Sequence, residues 1–170
     1  HQRRTKRLTM QYHPLPQPDE LDVREREDAM GAYFMMFATA ALGLPLPILN
    51  LVAAIIYYFV NRSKGRFVQF HTLQSLYSQI PVTLLNLGLV VWIITNLVKE
   101  YAFSEVFWGY VVMVAVANLV YLIFSIVGAV QARKGYFYYF LFFGKLAYAQ
   151  VYRVREEKDA GSRVNQPPKI

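Results

Sequence analysis

Apolar and polar positions in this chain fall into long blocks rather than short periods. No Asp, Glu, Lys or Arg occurs from Ala29 to Asn61, from Phe67 to Val98, or from Val106 to Ala132. Each block exceeds the roughly 20 apolar residues that carry a helix across about 30 Å of hydrocarbon. The pattern predicts an all-α integral membrane protein. The first block contains "LGLPLPILN", in which Pro45 and Pro47 break or sharply kink a helix. A hairpin turning there leaves two arms of about 16 residues, roughly 24 Å each. Such arms must start earlier, thin the bilayer, or re-enter without crossing. An earlier start is expected for the first, with Asp19 as N-cap and "ELDVREREDAM" as its charged opening. The second block would span about 48 Å as helix, with a kink expected just before Pro81. The third block returns the chain.

The predicted organisation is four transmembrane helices, a short Pro-broken hairpin followed by two long helices. They lie near 20–44, 47–61, 67–98 and 104–133, within a membrane domain covering 19–153. An extended tail (1–18) precedes it and a flexible tail (154–170) follows. "GYFYYFLFFGKLAYAQVYR", Gly135 to Arg153, is apolar but rich in Tyr and interruptions. It suits a segment lying in the interface, with Lys145 and Arg153 toward phosphates.

Charge sets the orientation. The net charge of +7 would suit nucleic acid, but the basic residues flank the apolar blocks instead. Arg3, Arg4, Lys6 and Arg7 precede the first block. Arg62, Lys64 and Arg66 follow it. Arg133, Lys134, Lys145 and Arg153 come after the third, and only Lys99 lies between the second and third. This is the positive-inside pattern, with both termini cytoplasmic and the same cations touching anionic headgroups. Tyr101, Phe103, Phe107, Trp108 and Tyr110 form an aromatic belt at the far turn. Cysteine is absent, so there is no disulfide or thiolate chemistry.

The candidate chemistry lies at the mouth of the second block, in "RFVQFHTLQSLY". His71, Gln74, Ser75 and Ser78 share one helical face, roughly continued by Asn86. The fourth helix offers Asn118, Tyr121, Ser125 and Gly128 as a matching stripe. One reading has these groups hydrogen-bonding across the bundle, where small residues let helices approach. The other has them lining a hydrated crevice or partner groove. No carboxylate lies within the helices to complete a metal set or a proton relay. Phosphate loops, nucleophile elbows and zinc-helix motifs are missing. The expectation is a protein without catalytic activity, cofactor or metal.

"FVQFHTLQS" (Phe67, Phe70, His71, Gln74) and the later Gly135-Tyr136 with Ala147, Tyr148 and Gln150 support a resemblance. Together with the helix order, they resemble the small four-helix subunit family of the Tic translocon in the chloroplast inner envelope, and its bacterial relatives. Where those relatives often carry a first-helix His, this chain has "YFMMFATAALG". The resemblance implies a non-catalytic subunit of a larger membrane complex, in protein transport or envelope biogenesis. The alternative is a small self-sufficient channel or carrier using the polar stripe. Implied partners are the bilayer and other membrane subunits, or a second copy, but no nucleic acid. The implied location is a bacterial inner membrane, since no transit-type leader is visible, or alternatively the plastid inner envelope.

Overall fold

The computed structural model describes residues 11–38 and 47–154. The outer parts of both tails lie outside the described residues, as does the expected turn at Pro45. Pro47 is the N-cap of the helix that follows that turn. Five α-helices make up the described chain: α1 (Val23–Gly31), α2 (Ile48–Asn61), α3 (Arg66–Val98), α4 (Glu105–Arg133) and α5 (Phe143–Tyr152). No strand occurs among the described residues; Tyr12 and Arg153 form a single isolated bridge.

The first helix starts later than Asp19. Pro18–Glu20 closes its own 3₁₀ turn, in which the Glu20 carboxylate accepts the Gln17 N–H at 2.8 Å. α1 then begins after Asp22. Its winding tightens into a 3₁₀ stretch at Ala32–Phe37. α3 runs unbroken through Pro81 for 33 residues, about 50 Å at 1.5 Å per residue. At its far end the Tyr101 N–H reaches the Asn96 carbonyl, and Glu100 takes the left-handed conformation (φ 54°) that a helix stop requires. α4 opens on Ser104, whose hydroxyl accepts the Phe107 N–H at 3.2 Å. It closes on Gly135 at φ 82°, with the Tyr136 N–H on the Gln131 carbonyl. A side chain at Gly135 would be strained and would press on Pro18.

α3 and α4 are long and apolar enough to cross a membrane. Most of their apolar side chains face outward, unlike those of a soluble core helix. Leu84, Val91 and Leu97 on α3, and Val106, Val112 and Val116 on α4, are all more than half exposed. Burial on α3 is concentrated at its start, where Phe67, Val68, Phe70, His71 and Gln74 are sealed. The elements that seal this end are α1 with its 3₁₀ extension, and the segment from Gly135 through α5.

Adjacent acids on α1 fasten the basic end. Asp28 pairs with Lys64 of the α2–α3 loop at 2.7 Å, and Glu27 with Arg133 at the end of α4 at 3.0 Å. The Tyr57 hydroxyl of α2 donates to the Asp28 carbonyl at 2.7 Å. Both ends of the first apolar block therefore lie on the basic side. Residues 11–17 lie along the chain's own C-terminal segment. The His13 N–H bonds the Tyr152 carbonyl, the Val154 N–H bonds the Gln11 carbonyl, and Tyr12 stacks on Tyr148 at 5.1 Å.

Candidate functional site

His71 is fully buried in an aromatic box. Phe67 and Phe70 meet it edge-on at 4.6 and 4.9 Å, and Phe137 stacks at 6.0 Å. Its Nδ1 lies 2.6 Å from the Tyr33 hydroxyl. Gln74, one turn on, is the centre of the network. Its Oε1 accepts the Phe140 N–H at 3.0 Å, and its Nε2 donates to the Tyr138 carbonyl and to the Tyr33 oxygen, both at 2.8 Å. The backbone partners fix the amide orientation, because an N–H can only donate and a carbonyl can only accept. The Tyr33 proton must then point to His71 Nδ1, which leaves the imidazole proton on Nε2. Nε2 itself is buried without a hydrogen-bond partner.

Neighbouring positions are shaped around this clasp. The Ser75 hydroxyl donates to the Ala32 carbonyl at 2.8 Å, where α1 changes winding. A Cβ on Gly128 would come within 2.9 Å of Tyr33 and 3.0 Å of Phe140. A Cβ on Gly144 would come within 2.8 Å of Gln74 Oε1. Both positions must stay bare for the C-terminal segment to seat.

A second polar cluster sits deeper, where Asn86 and Asn118 exchange reciprocal amide bonds at 3.1 and 2.9 Å. They border a cavity of about 50 Å³, lined also by Asn50, Gln79, Thr83 and Tyr121. Gln79 is 2% exposed, and neither its oxygen nor its nitrogen has a partner. Tyr121 and Ser125 also keep buried hydroxyls without partners. Met36 and Pro47 line the same cavity, so the described arms of the first hairpin reach the level of Thr83 and Asn86, about halfway along α3.

The expected stripe therefore divides. His71 and Gln74 turn to the first helix and the C-terminal segment, and Ser75 bonds the first helix. Ser78 bonds the Ser75 carbonyl of its own helix at 2.8 Å. Asn86 joins its expected partner Asn118, and the Tyr121 hydroxyl of α4 lies close to Ser75, Ser78 and Gln79. Tyr33 and Gln79 are the residues the stripe omitted. Gln79 stands one turn after Ser75 on the same helix, a spacing that could have added it. Tyr33, a phenol within an apolar block, carried no comparable signal.

The basic residues also take specific places. Lys64 and Arg133 are spent on the α1 acids. The Arg62 guanidinium sits 5.4 Å from the centre of the Phe59 ring. Arg66 Nη2 is 3.3 Å from His13 Nε2. Lys134 caps α4, Arg153 holds the bridge to Tyr12, and Lys145 is exposed.

Among the described residues, no group of three or more His, Cys, Asp or Glu side chains could hold a metal ion. No curated protein and no solved structure matches the chain. The model of the magnetosome magnetite crystal formation protein family matches residues 26–146, well over half of the chain. That match overturns the resemblance to the Tic-translocon subunit, and with it the expected role in protein transport or envelope biogenesis. The channel or carrier alternative gains no support either. The motif "FVQFHTLQS" supplies the clasp and its aromatic walls, and the chain belongs to the magnetosome magnetite crystal formation protein family.

Proposed function

We propose that this protein acts in magnetite crystal formation as a non-enzymatic, membrane-embedded structural component of the magnetosome. The family match carries this reading. The architecture supports it: two membrane-length helices with outward apolar faces, and a folded cap at the basic end. The strongest polar groups, His71, Gln74, Tyr33 and Ser75, are all engaged in holding that cap together. None of them opens to a substrate.

The topology we infer has α3 and α4 crossing, with α1 and α2 as a re-entrant pair on the basic face. The positive-inside rule puts that face, and both termini, on the cytoplasmic side. The short reach of α2, about 21 Å, supports a re-entrant hairpin over two further crossings. Arg66, Lys134 and Lys145 remain available to anionic headgroups. The plastid alternative rested on the translocon resemblance and falls with it.

Deleting the gene in a magnetite-forming bacterium and imaging the crystals by electron microscopy tests the function. Crystals altered in size, shape or number, and restored by the wild-type gene, are expected. Unchanged crystals would sink the proposal. Single-cysteine labelling tests the topology and is straightforward in a chain with no native cysteine. Label reaching Leu42→Cys from the side opposite the termini would refute the re-entrant hairpin.

A further inference from the structure

Pro81 and Leu85 of α3, Val120 and Phe124 of α4, and Phe140 and Phe143 of the C-terminal segment enclose a groove of about 370 Å³. This is within the size range of sites for small organic ligands. Its lining is almost wholly carbon. The groove reaches the outer surface of the bundle, since Val120 and Phe124 are 45% and 37% exposed. Leu141 stands at its rim, followed by Phe142; they are 87% and 69% exposed.

The rim is built under strain. Phe142 takes φ 55° and ψ −54°, and the Phe143 N–H bonds the Leu141 carbonyl. This is the positive-φ form of the γ-turn, rare and strained, and a bulky residue seldom adopts it. The Gln74–Phe140 bond and the close fit of Gly144 anchor the turn from behind. The strain holds two large apolar side chains outward beside the groove, where a soluble protein would place polar ones.

These features select a lipid tail as the occupant. Water finds almost no polar partner in the groove. The groove lies on the stretch of α3 and α4 whose outer faces are apolar and exposed. Lys145, two residues past Phe143, is exposed and makes no ion pair among the described residues. An exposed lysine on the helix that opens with the lining residue Phe143 can extend its ammonium to a phosphate at the interface. We propose that the groove binds one acyl chain of an anionic phospholipid, with Lys145 meeting the headgroup phosphate. The proposal rests on the membrane reading above.

Native mass spectrometry tests it, on full-length protein taken in mild detergent from bilayers of equal phosphatidylglycerol and phosphatidylcholine. Wild type is expected to retain one phospholipid, with phosphatidylglycerol enriched severalfold. Ala117→Phe, which fills the groove from its α4 wall, should lose the adduct. If that variant loses helical circular dichroism, Val120→Phe fills the groove from its exposed edge and should do the same. Lys145→Gln should keep the adduct but bring the two lipids to equal occupancy. Inorganic phosphate should not displace the lipid. No retained lipid on wild type, or equal retention by the filled-groove variants, overturns the proposal. Loss of the anionic preference in wild type overturns the role given to Lys145, and displacement by phosphate overturns the acyl chain as the part the groove holds. Carbonate extraction of the same membranes separates the two readings. Protein released to the soluble fraction would refute the membrane reading, whereas protein retained in the membrane without the adduct refutes only the groove.

Discussion

Replacing Gln74 by Met keeps the length and flexibility of the side chain but removes its hydrogen bonds. Three groups then lose a partner: the Phe140 N–H, the Tyr138 carbonyl and the Tyr33 hydroxyl, now held at 3.0, 2.8 and 2.8 Å. A buried group left unpaired costs about 1–3 kcal/mol, while interhelical side-chain bonds in bilayers average nearer 0.6 kcal/mol. The two backbone groups can recover water if the segment lifts away, which limits the loss. Docking of the C-terminal segment should weaken by about 2–4 kcal/mol, roughly 30- to 700-fold in its equilibrium constant. Hydrogen exchange by mass spectrometry in nanodiscs reads this directly. Peptides covering 135–153 should exchange faster by that factor, while the middle of α4 stays protected. Gln74→Glu should be worse, because a carboxylate cannot donate to Tyr138. Wild-type exchange over 135–153 would refute the reasoning. So would an equal rise in α4, which would show that Gln74 stabilises the whole bundle rather than the docked segment.

Asn86→Leu or Asn118→Leu alone strands the partner amide and should cost about 1–3 kcal/mol. The double variant should recover much of that, giving a coupling of at least 0.5 kcal/mol in a double-mutant melting cycle. Gly128→Val drives methyl groups into Tyr33 and Phe140 and should destabilise by about 1–3 kcal/mol, seen as a lower thermal midpoint. Asp28→Asn removes a partly exposed ion pair and should change stability by less than about 1 kcal/mol, with the difference shrinking in high salt. Burial raises the Tyr152 phenol well above its ordinary value, with Tyr139 adding to the effect. The stability this contributes is complete below about pH 10 and is lost as pH rises toward the folded-state value. Tyr152→Phe should remove that alkaline loss in a pH series of melting points. It should leave neutral-pH stability unchanged or slightly higher, because the hydroxyl has no hydrogen-bond partner.

The apolar blocks and their basic flanks revealed the helical class, because lipid imposes a requirement on composition that needs no partner to be known. The Tyr-rich, interrupted run from Gly135 was legible as something other than a further crossing, and the positive φ that closes α4 there was not. The polar stripe was legible as a face but not as a set of contacts. Helical spacing says that His71 and Gln74 point together; it does not say what lies opposite. Their partners are Tyr33, 38 and 41 residues earlier, and the backbone of Tyr138 and Phe140, 64 and 66 residues later. A backbone N–H or carbonyl has no residue type, so half of the clasp left no mark on the sequence. Tyr33 was hidden for another reason: a phenol in an apolar block counts first as an aromatic ring.

The clasp also fixes an order of events during synthesis. Gln74 emerges from the ribosome long before Tyr138 and Phe140 exist, and α3 and α4 must both be threaded before those residues can reach it. For that interval its amide sits at the mouth of a membrane helix with Tyr33 as its only lasting partner. A chain interrupted anywhere in α4 would carry an open amide and an uncovered aromatic box.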